Sequence, residues 1–356
     1  MTKELAALDD PDALRAGDPG GMLALAAALG TQLGEGFALG RDARDLPTAE
    51  GIGSIAVCGM GGSGIVGDVL RACFADRLPV PLVTVKGYGL PAFCGKDTVV
   101  LAVSYSGETE ETLAAYAQAV AVGSRVMALS SGGKLAALAG ADGVPHIHVP
   151  GHVPAPRAAL GLLVGGAMGA LEAVGLLPDA GAELNGISAV LGGLSSELAP
   201  ERPAEANRAK SLAEWLHARI PVVWGSEGVA EAAALRWKTQ FNENAKTPAF
   251  HAVLPELDHN EIEGWSEQTG RRFGLVVLRH AREHPRIASR VEATIDAIAG
   301  SGLECREVSA EGSTPTEILL SFVMLADFTS TYLAIIRGVD PLPIRVLTQL
   351  KERLRG

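Results

Sequence analysis

The sequence predicts an α/β fold made of two parallel, doubly wound sheets, each flanked by helices. Three observations carry that prediction. Short β-like runs alternate with helical stretches along most of the chain. The alternation breaks off after Leu177 in a polar, Gly-rich passage and restarts near Pro221. The length, 356 residues, exceeds the usual size of one domain and suffices for two separate cores. Composition agrees, since aromatic residues are 4% of the chain while Gly numbers 43, a balance that suits close strand-to-helix crossings.

In chain order, residues 1–49 read as an N-terminal helical arm. Residues 50–180 form the first domain, with strands expected at Ser54–Cys58, Pro81–Lys86, Thr98–Ser104, Arg125–Ser130 and His146–Val149. Residues 181–204 read as a linker. Residues 205–342 form the second domain, with strands at Pro221–Gly225, Phe273–Arg279 and Glu304–Val308, and residues 343–356 a C-terminal helix with Lys351 near its end. The segments IAVCGMGGSGIVGDVLR and VVWGSEGVAEAAALRWK share strand, turn and helix in register, which suggests a duplication in which only the first turn keeps its full glycine run.

Charge and cysteine usage narrow the partners. The formal net charge is −11 and the Lys and Arg residues are scattered, which excludes a nucleic acid backbone or an anionic membrane as the expected partner. Cys58, Cys73, Cys94 and Cys305 form no CxxC pair and no ladder of close spacings, so neither a disulfide framework nor a zinc site is indicated. The acidic segment Met1–Asp12 lacks the basic start and apolar core of a signal peptide, and a cytoplasmic location is expected. Two apolar stretches, Leu160–Leu177 and Ile318–Ile336, approach membrane-spanning length. Glu172 interrupts the first and Asp327, Thr329 and Ser330 the second, so both read as buried helices.

The densest chemistry follows the first strand. Gly59, Gly61 and Gly64 turn the chain into a helix, so backbone N–H groups and the positive helix end face whatever anion sits there. The same residues satisfy the dinucleotide pattern GxGxxG. That reading wants an acidic residue at the end of the next strand, where Lys86 stands, so NAD does not fit and NADP stays open. After the third expected strand, Ser104, Ser106 and Thr109 place three hydroxyls in another turn leading into a helix. Taken with Gly61, Gly62 and Ser63, they point to a cradle for a terminal phosphomonoester at the carboxyl edge of the sheet. Each loop alone is also what turn and cap residues would look like.

GMGGSGIVGD followed by SYSGETEET resembles the first sugar-isomerase (SIS) domain of the bifunctional phosphoglucose/phosphomannose isomerase family. VPAPRAALGLL, FNENAKTPAF, ELDHNEIEGW and RGVDPLPIRVLTQLKERL are similar to that family's later blocks, in order, from Ser54 to the C-terminus. The resemblance implies two SIS domains and a homodimer whose active site is completed across the subunit interface. It implies that Gly61, Gly62, Ser63, Ser104, Ser106 and Thr109 hold the phosphate and that Arg157 is the active-site arginine. Glu243 matches the base, His259 the ring-opening histidine lent by the partner subunit, and Lys351 the lysine that assists ring opening. It implies no metal and no cofactor.

Those residue types suit aldose–ketose isomerisation. A carboxylate can take the weakly acidic proton beside a carbonyl and return it to the neighbouring carbon through an enediol. A guanidinium at Arg157 would stabilise the enediolate, and an imidazole at His259 would shuttle the ring hydroxyl proton near neutral pH. His146, His148 and His152 look like metal ligands, but no carboxylate completes the set. Two positions depart from the family pattern. Glu108 stands where Asn is expected, and a carboxylate aimed at a phosphate dianion would weaken binding unless it faces away. Ile344 stands where relatives carry a polar residue tied to stereochemistry at C2, which leaves the glucose–mannose preference open. Three alternatives also stay open: a SIS-type sensor without turnover, an isomerase of another sugar phosphate, and an NADP-dependent reductase.

Overall fold

The computed structural model describes residues 7–355, with side chains to residue 354. Residues 1–6, the start of the predicted arm, lie outside the described residues. The chain separates into two compact units. One comprises residues 28–192 with 314–319, the other residues 1–27, 193–313 and 320–356.

The first unit holds a five-stranded parallel sheet, β1 (Ser54–Cys58), β2 (Leu82–Val85), β3 (Thr98–Val103), β4 (Arg125–Ser130) and β5 (His146–His148), in the order β2-β1-β3-β4-β5. Every strand pair is parallel, so the strands need helical crossovers and their two faces are both covered. This explains why β3, TVVLAV, is apolar and buried along its whole length. The strand order reverses direction between β1 and β3, so the loops leaving those two strands at the carboxyl edge lead to helices on opposite faces, where doubly wound sheets bind ligands.

The helices Leu29–Arg41 and Leu160–Val174 pack face to face in this unit. Gly161, Gly165 and Gly169 recur every fourth residue, and a Cβ added at each would stand 2.5, 2.1 and 2.1 Å from the carbonyl oxygens of Leu29, Leu33 and Phe37. Only glycine lets the two backbones approach this closely. The apolar stretch that approached spanning length is thus a packed helix, 83% of it buried, and the second such stretch, within Pro315–Ile336, is 100% buried.

The other unit holds a four-stranded parallel sheet, β6 (Ile220–Ser226), β7 (Phe250–Leu254), β8 (Phe273–Arg279) and β9 (Glu304–Ser309), in the order β7-β6-β8-β9. Its order repeats that of β2-β1-β3-β4. Strand β7 was not expected from the sequence: it is an edge strand whose Phe250 and His251 are exposed, so it lacks the apolar run of its neighbours. The stretch 181–204, expected as a linker, carries the helix Leu184–Leu198. Ile187, Leu191, Leu194 and Leu198 recur at helical spacing and are buried. Gly186, Gly192 and Gly193 disguised that period. The predicted arm contains the helices Pro11–Gly17, Met22–Ala27 and Leu29–Arg41, shared between the two units at Ala27.

Candidate active site

The residues expected to form the cradle lie in the first unit. Met60 is the extended N-cap of the helix Gly61–Phe74, and Gly61 takes a φ of +53°, which a side chain would strain. Ser63 is buried, and its Oγ accepts a hydrogen bond of 3.1 Å from the Tyr105 N–H. The loop after β1 is therefore stitched directly to the loop after β3. In that second loop the Ser104 and Thr109 hydroxyls lie 2.9 Å apart, and the Ser106 Oγ accepts from the Glu108 N–H at 3.3 Å. Thr109 occupies the N-cap of the helix Glu110–Ala121, yet its hydroxyl bonds Ser104 instead of the helix backbone. Ser106 is exposed at the mouth while Ser104 is fully buried behind it.

Arg157 belongs to the same place. It sits in the 3₁₀ turn Pro156–Ala159, is 2% exposed, and its backbone packs on Gly62, where an added Cβ would meet the Arg157 N and Cα at 2.8 Å. The first unit thus brings Gly61, Gly62, Ser63, Ser104, Ser106, Thr109 and Arg157 to one end of one sheet.

Two neighbours that the sequence singled out have partners of their own. Glu108 is engaged by Lys134: its Oε1 accepts the Lys134 N–H at 2.9 Å, at the start of the helix Gly133–Asp142, and its Oε2 lies 3.5 Å from the Lys134 Nζ. Its charge serves a helix N-terminus. Lys86 is paired with Asp68 of the helix that follows the glycine turn. Tyr105 went unnoticed in the sequence. Its hydroxyl donates to the Pro150 carbonyl at 2.9 Å and accepts from the Val153 N–H at 3.0 Å, which anchors the strap leading to Arg157. Burial pushes this phenol's pKa up. The available signal was an aromatic residue inside a hydroxyl-rich turn of an aromatic-poor chain.

The second unit holds the remaining candidates. Glu243 ends the helix Val229–Glu243 and lines an open cleft of about 780 Å³ together with Lys246, Asp340 and Ile344. The Lys246 ammonium donates to the Glu243 carbonyl and, at 3.1 Å, to the Pro341 carbonyl, so it clamps the end of that helix to the segment before the C-terminal helix. Ile344, the position that departs from the family pattern, faces the same cleft as Glu243. His259 and Lys351 are exposed and do not line it. The loop of His259 is held by its neighbours: the Asp258 carboxylate accepts from the Arg290 guanidinium at 3.0 Å and from the Thr294 hydroxyl at 2.8 Å. His146 is bonded at 2.8 Å to the Ser130 hydroxyl, and among the described residues no three His, Cys, Asp or Glu side chains gather as a metal set.

A parallel sheet with hydroxyl-rich loops at its switch point, followed by a second sheet that repeats the order of its first four strands, has the architecture of the double-SIS, phosphosugar isomerase class. Solved structures support the fold: a glucose-6-phosphate isomerase like protein from Thermus thermophilus covers 97% of this chain and 98% of its own at a TM-score of 0.62 and 20% identity. The C-terminal domain of glucosamine-fructose-6-phosphate aminotransferase from Francisella tularensis covers 90% of this chain and 97% of its own at 0.66 and 13%. Residues 205–354 match the bacterial phospho-glucose isomerase C-terminal SIS domain family. The bifunctional phosphoglucose/phosphomannose isomerase of Caldicellulosiruptor bescii is 35% identical over 91% of this chain and 96% of its own, and that of Aquifex aeolicus 33% over 88% and 93%. A D-glucosamine-6-phosphate 4-epimerase of Sulfolobus acidocaldarius is 33% identical over 71% of this chain and 77% of its own. The chain belongs to the bifunctional phosphoglucose/phosphomannose isomerase family.

Proposed function

We propose that the protein interconverts glucose 6-phosphate and fructose 6-phosphate, and mannose 6-phosphate as well, by proton transfer between C1 and C2 through a cis-enediolate. The observation that carries this reading is the stitched cradle, in which the Ser63 hydroxyl and the Tyr105 N–H join the two switch-point loops with Arg157 packed against them. Preorganised donors of this kind hold a phosphomonoester without rearranging. In this reading Gly61, Gly62, Ser63, Ser104, Ser106 and Thr109 bind the phosphate. Arg157 stabilises the enediolate and Glu243 moves the proton. Lys351 and His259, the latter lent by the other subunit of a cytoplasmic homodimer, assist ring opening. The exposure of His259 supports a role toward a second copy.

The test is a coupled assay of EDTA-treated protein with fructose 6-phosphate, following glucose 6-phosphate and mannose 6-phosphate separately. Formation of both products is expected. Thermal stabilisation by fructose 6-phosphate with no product of either kind would replace this reading with a sugar-phosphate sensor. The epimerase relative supplies a second reading, and turnover of glucosamine 6-phosphate in place of fructose 6-phosphate would select it. Sharing of the site is tested by mixing Glu243→Gln with His259→Ala subunits: activity should reappear, because one site of each hybrid dimer then keeps both groups. Verified hybrids without activity would remove the shared-site arrangement.

A further inference from the structure

The helix that ends in Glu243 packs on the apolar helix Pro315–Ile336 through a run of buried polar contacts. Arg236 donates from Nη2 to both carboxylate oxygens of Asp327 at 3.0 Å, and Gln240 donates from Nε2 to the nearer of them at 2.7 Å. One turn on, the Asn244 amide donates to the Ser330 hydroxyl at 2.9 Å, which in turn donates to the Asp327 carbonyl at 3.1 Å. Arg236, Gln240 and Asn244 stand four residues apart and share one face. All three are at most 1% exposed, and Asp327 is 7% exposed.

Stability alone does not call for this arrangement. A buried ion pair costs desolvation on both sides, and well-packed apolar residues of similar volume do as well or better. What the ladder supplies is register. An apolar helix pair can slide or rotate by a fraction of a turn at little cost, whereas the Asp327 carboxylate meets its two partners at a single setting. The ladder ends at Asn244, the residue after Glu243 and about 100° further round the helix. Fixing Asn244 therefore fixes where Glu243 stands on the wall of its cleft.

We propose that Asp327, with Arg236 and Gln240, is a positioning device that sets the register of the Glu243 helix. The inference rests on Glu243 being the base. It is tested in the full-length protein with the triple variant Arg236→Met, Asp327→Leu, Gln240→Leu, which removes the Asp327 carboxylate and both side chains bonded to it together and keeps the Asn244–Ser330 rung. The variant should melt at or above the wild-type temperature, with kcat down roughly 10- to 100-fold and KM within about threefold, since a misplacement near 1 Å costs rate more than binding. A folded triple variant with wild-type kcat overturns the proposal. Should the triple variant not fold, Arg236→Lys decides the matter, because it keeps the charge and loses the fork. A lowered kcat at constant KM supports the ladder, and an unchanged kcat overturns it. Wild-type protein without isomerase turnover would remove the functional reading itself, an outcome distinct from an active wild type matched by its variants.

Discussion

Replacing Gly62 by Ala tests the link between cradle and arginine most directly. Gly62 lies in the first turn of the Gly61–Phe74 helix, and its φ is not in the left-handed region, so an alanine is not strained by its own backbone. The new carbon would, however, stand 2.8 Å from the N and Cα of Arg157, where ordinary contact begins at 3.4 Å. The Pro156–Ala159 turn must therefore retreat by about 0.6 Å, the shortfall between the two distances. Overpacking of this kind costs roughly 1–3 kcal/mol, and alanine in place of glycine in a helix returns up to about 1 kcal/mol. The net loss of stability should stay below about 3 kcal/mol, and the protein should fold. Catalysis is the more sensitive quantity. If 1 Å of misplacement costs about 10²-fold, half that displacement of Arg157 should cost roughly 10-fold in kcat/KM. The assay is steady-state kinetics with fructose 6-phosphate beside a thermal melt. Gly140→Ala is the control, a helical position where an added Cβ meets nothing within 4 Å. It should keep wild-type kinetics and gain up to about 1 kcal/mol. A Gly62→Ala protein with wild-type kcat/KM would refute the claim that the placement of Arg157 matters to turnover.

Three further outcomes follow from the same structure. Glu243→Gln should lower kcat by roughly 10²–10⁴-fold while sugar-phosphate binding stays within a few fold, and calorimetry showing equal loss of both would undo the assignment of Glu243 as base. Gly165→Ala should lower the melting temperature by several degrees, at about 2–4 °C per kcal/mol, because its Cβ would enter the Leu33 carbonyl at 2.1 Å; an unchanged melt would show that the two helices part freely. Burial holds His146 below its ordinary 6.5, with His148 adding to the effect, and burial likewise lowers His280. The unfolded chain therefore binds protons first as pH drops: this part of the stability is complete above about pH 6.5 and is lost as pH falls through the folded values. His146→Asn combined with His280→Asn should flatten the melting temperature between about pH 7 and pH 5, and an unaltered slope would show that these rings do not govern it.

Strands buried on both faces announce themselves as apolar runs, which is why β1, β3 and β4 were legible residue by residue. Strand β7 was not, because an edge strand with Phe250 and His251 in solvent has no such run. The helix Leu184–Leu198 was hidden by Gly186, Gly192 and Gly193, which weaken helix propensity where Ile187, Leu191 and Leu194 supply the burial. In the candidate site, the meeting of the Ser63 and Ser104–Thr109 loops was readable from their places at neighbouring strand ends. The roles of Glu108 and Tyr105 were not, since each is defined by a partner 26 to 48 residues away, in Lys134 and Val153. Long-range partners of this kind leave no local pattern.

The first sheet's strand order β2-β1-β3-β4 recurs in the second, and the difference between their first turns bears on the proposal that only one holds an anion. After β1 the chain runs Gly59-Met60-Gly61-Gly62-Ser63, a stretch with no charge that opens the Gly61–Phe74 helix, whose positive end suits an anion. From the end of β6 it runs Gly225-Ser226-Glu227-Gly228, which sets a carboxylate just before the Val229–Glu243 helix. A carboxylate there competes with a phosphate for the same positive helix end and repels it. The corresponding helix of the second unit presents Glu243 at its other end, where Glu243 and the Lys246 clamp line the cleft. Replacing Glu227 by Gly would remove the repulsion without supplying the Ser104–Thr109 pair or an arginine turn like Pro156–Ala159, so it should not create a second phosphate site. Titration of the Glu227→Gly protein with inorganic phosphate should show the wild-type stoichiometry, and a second equivalent bound would show that the glycine turn alone makes the cradle.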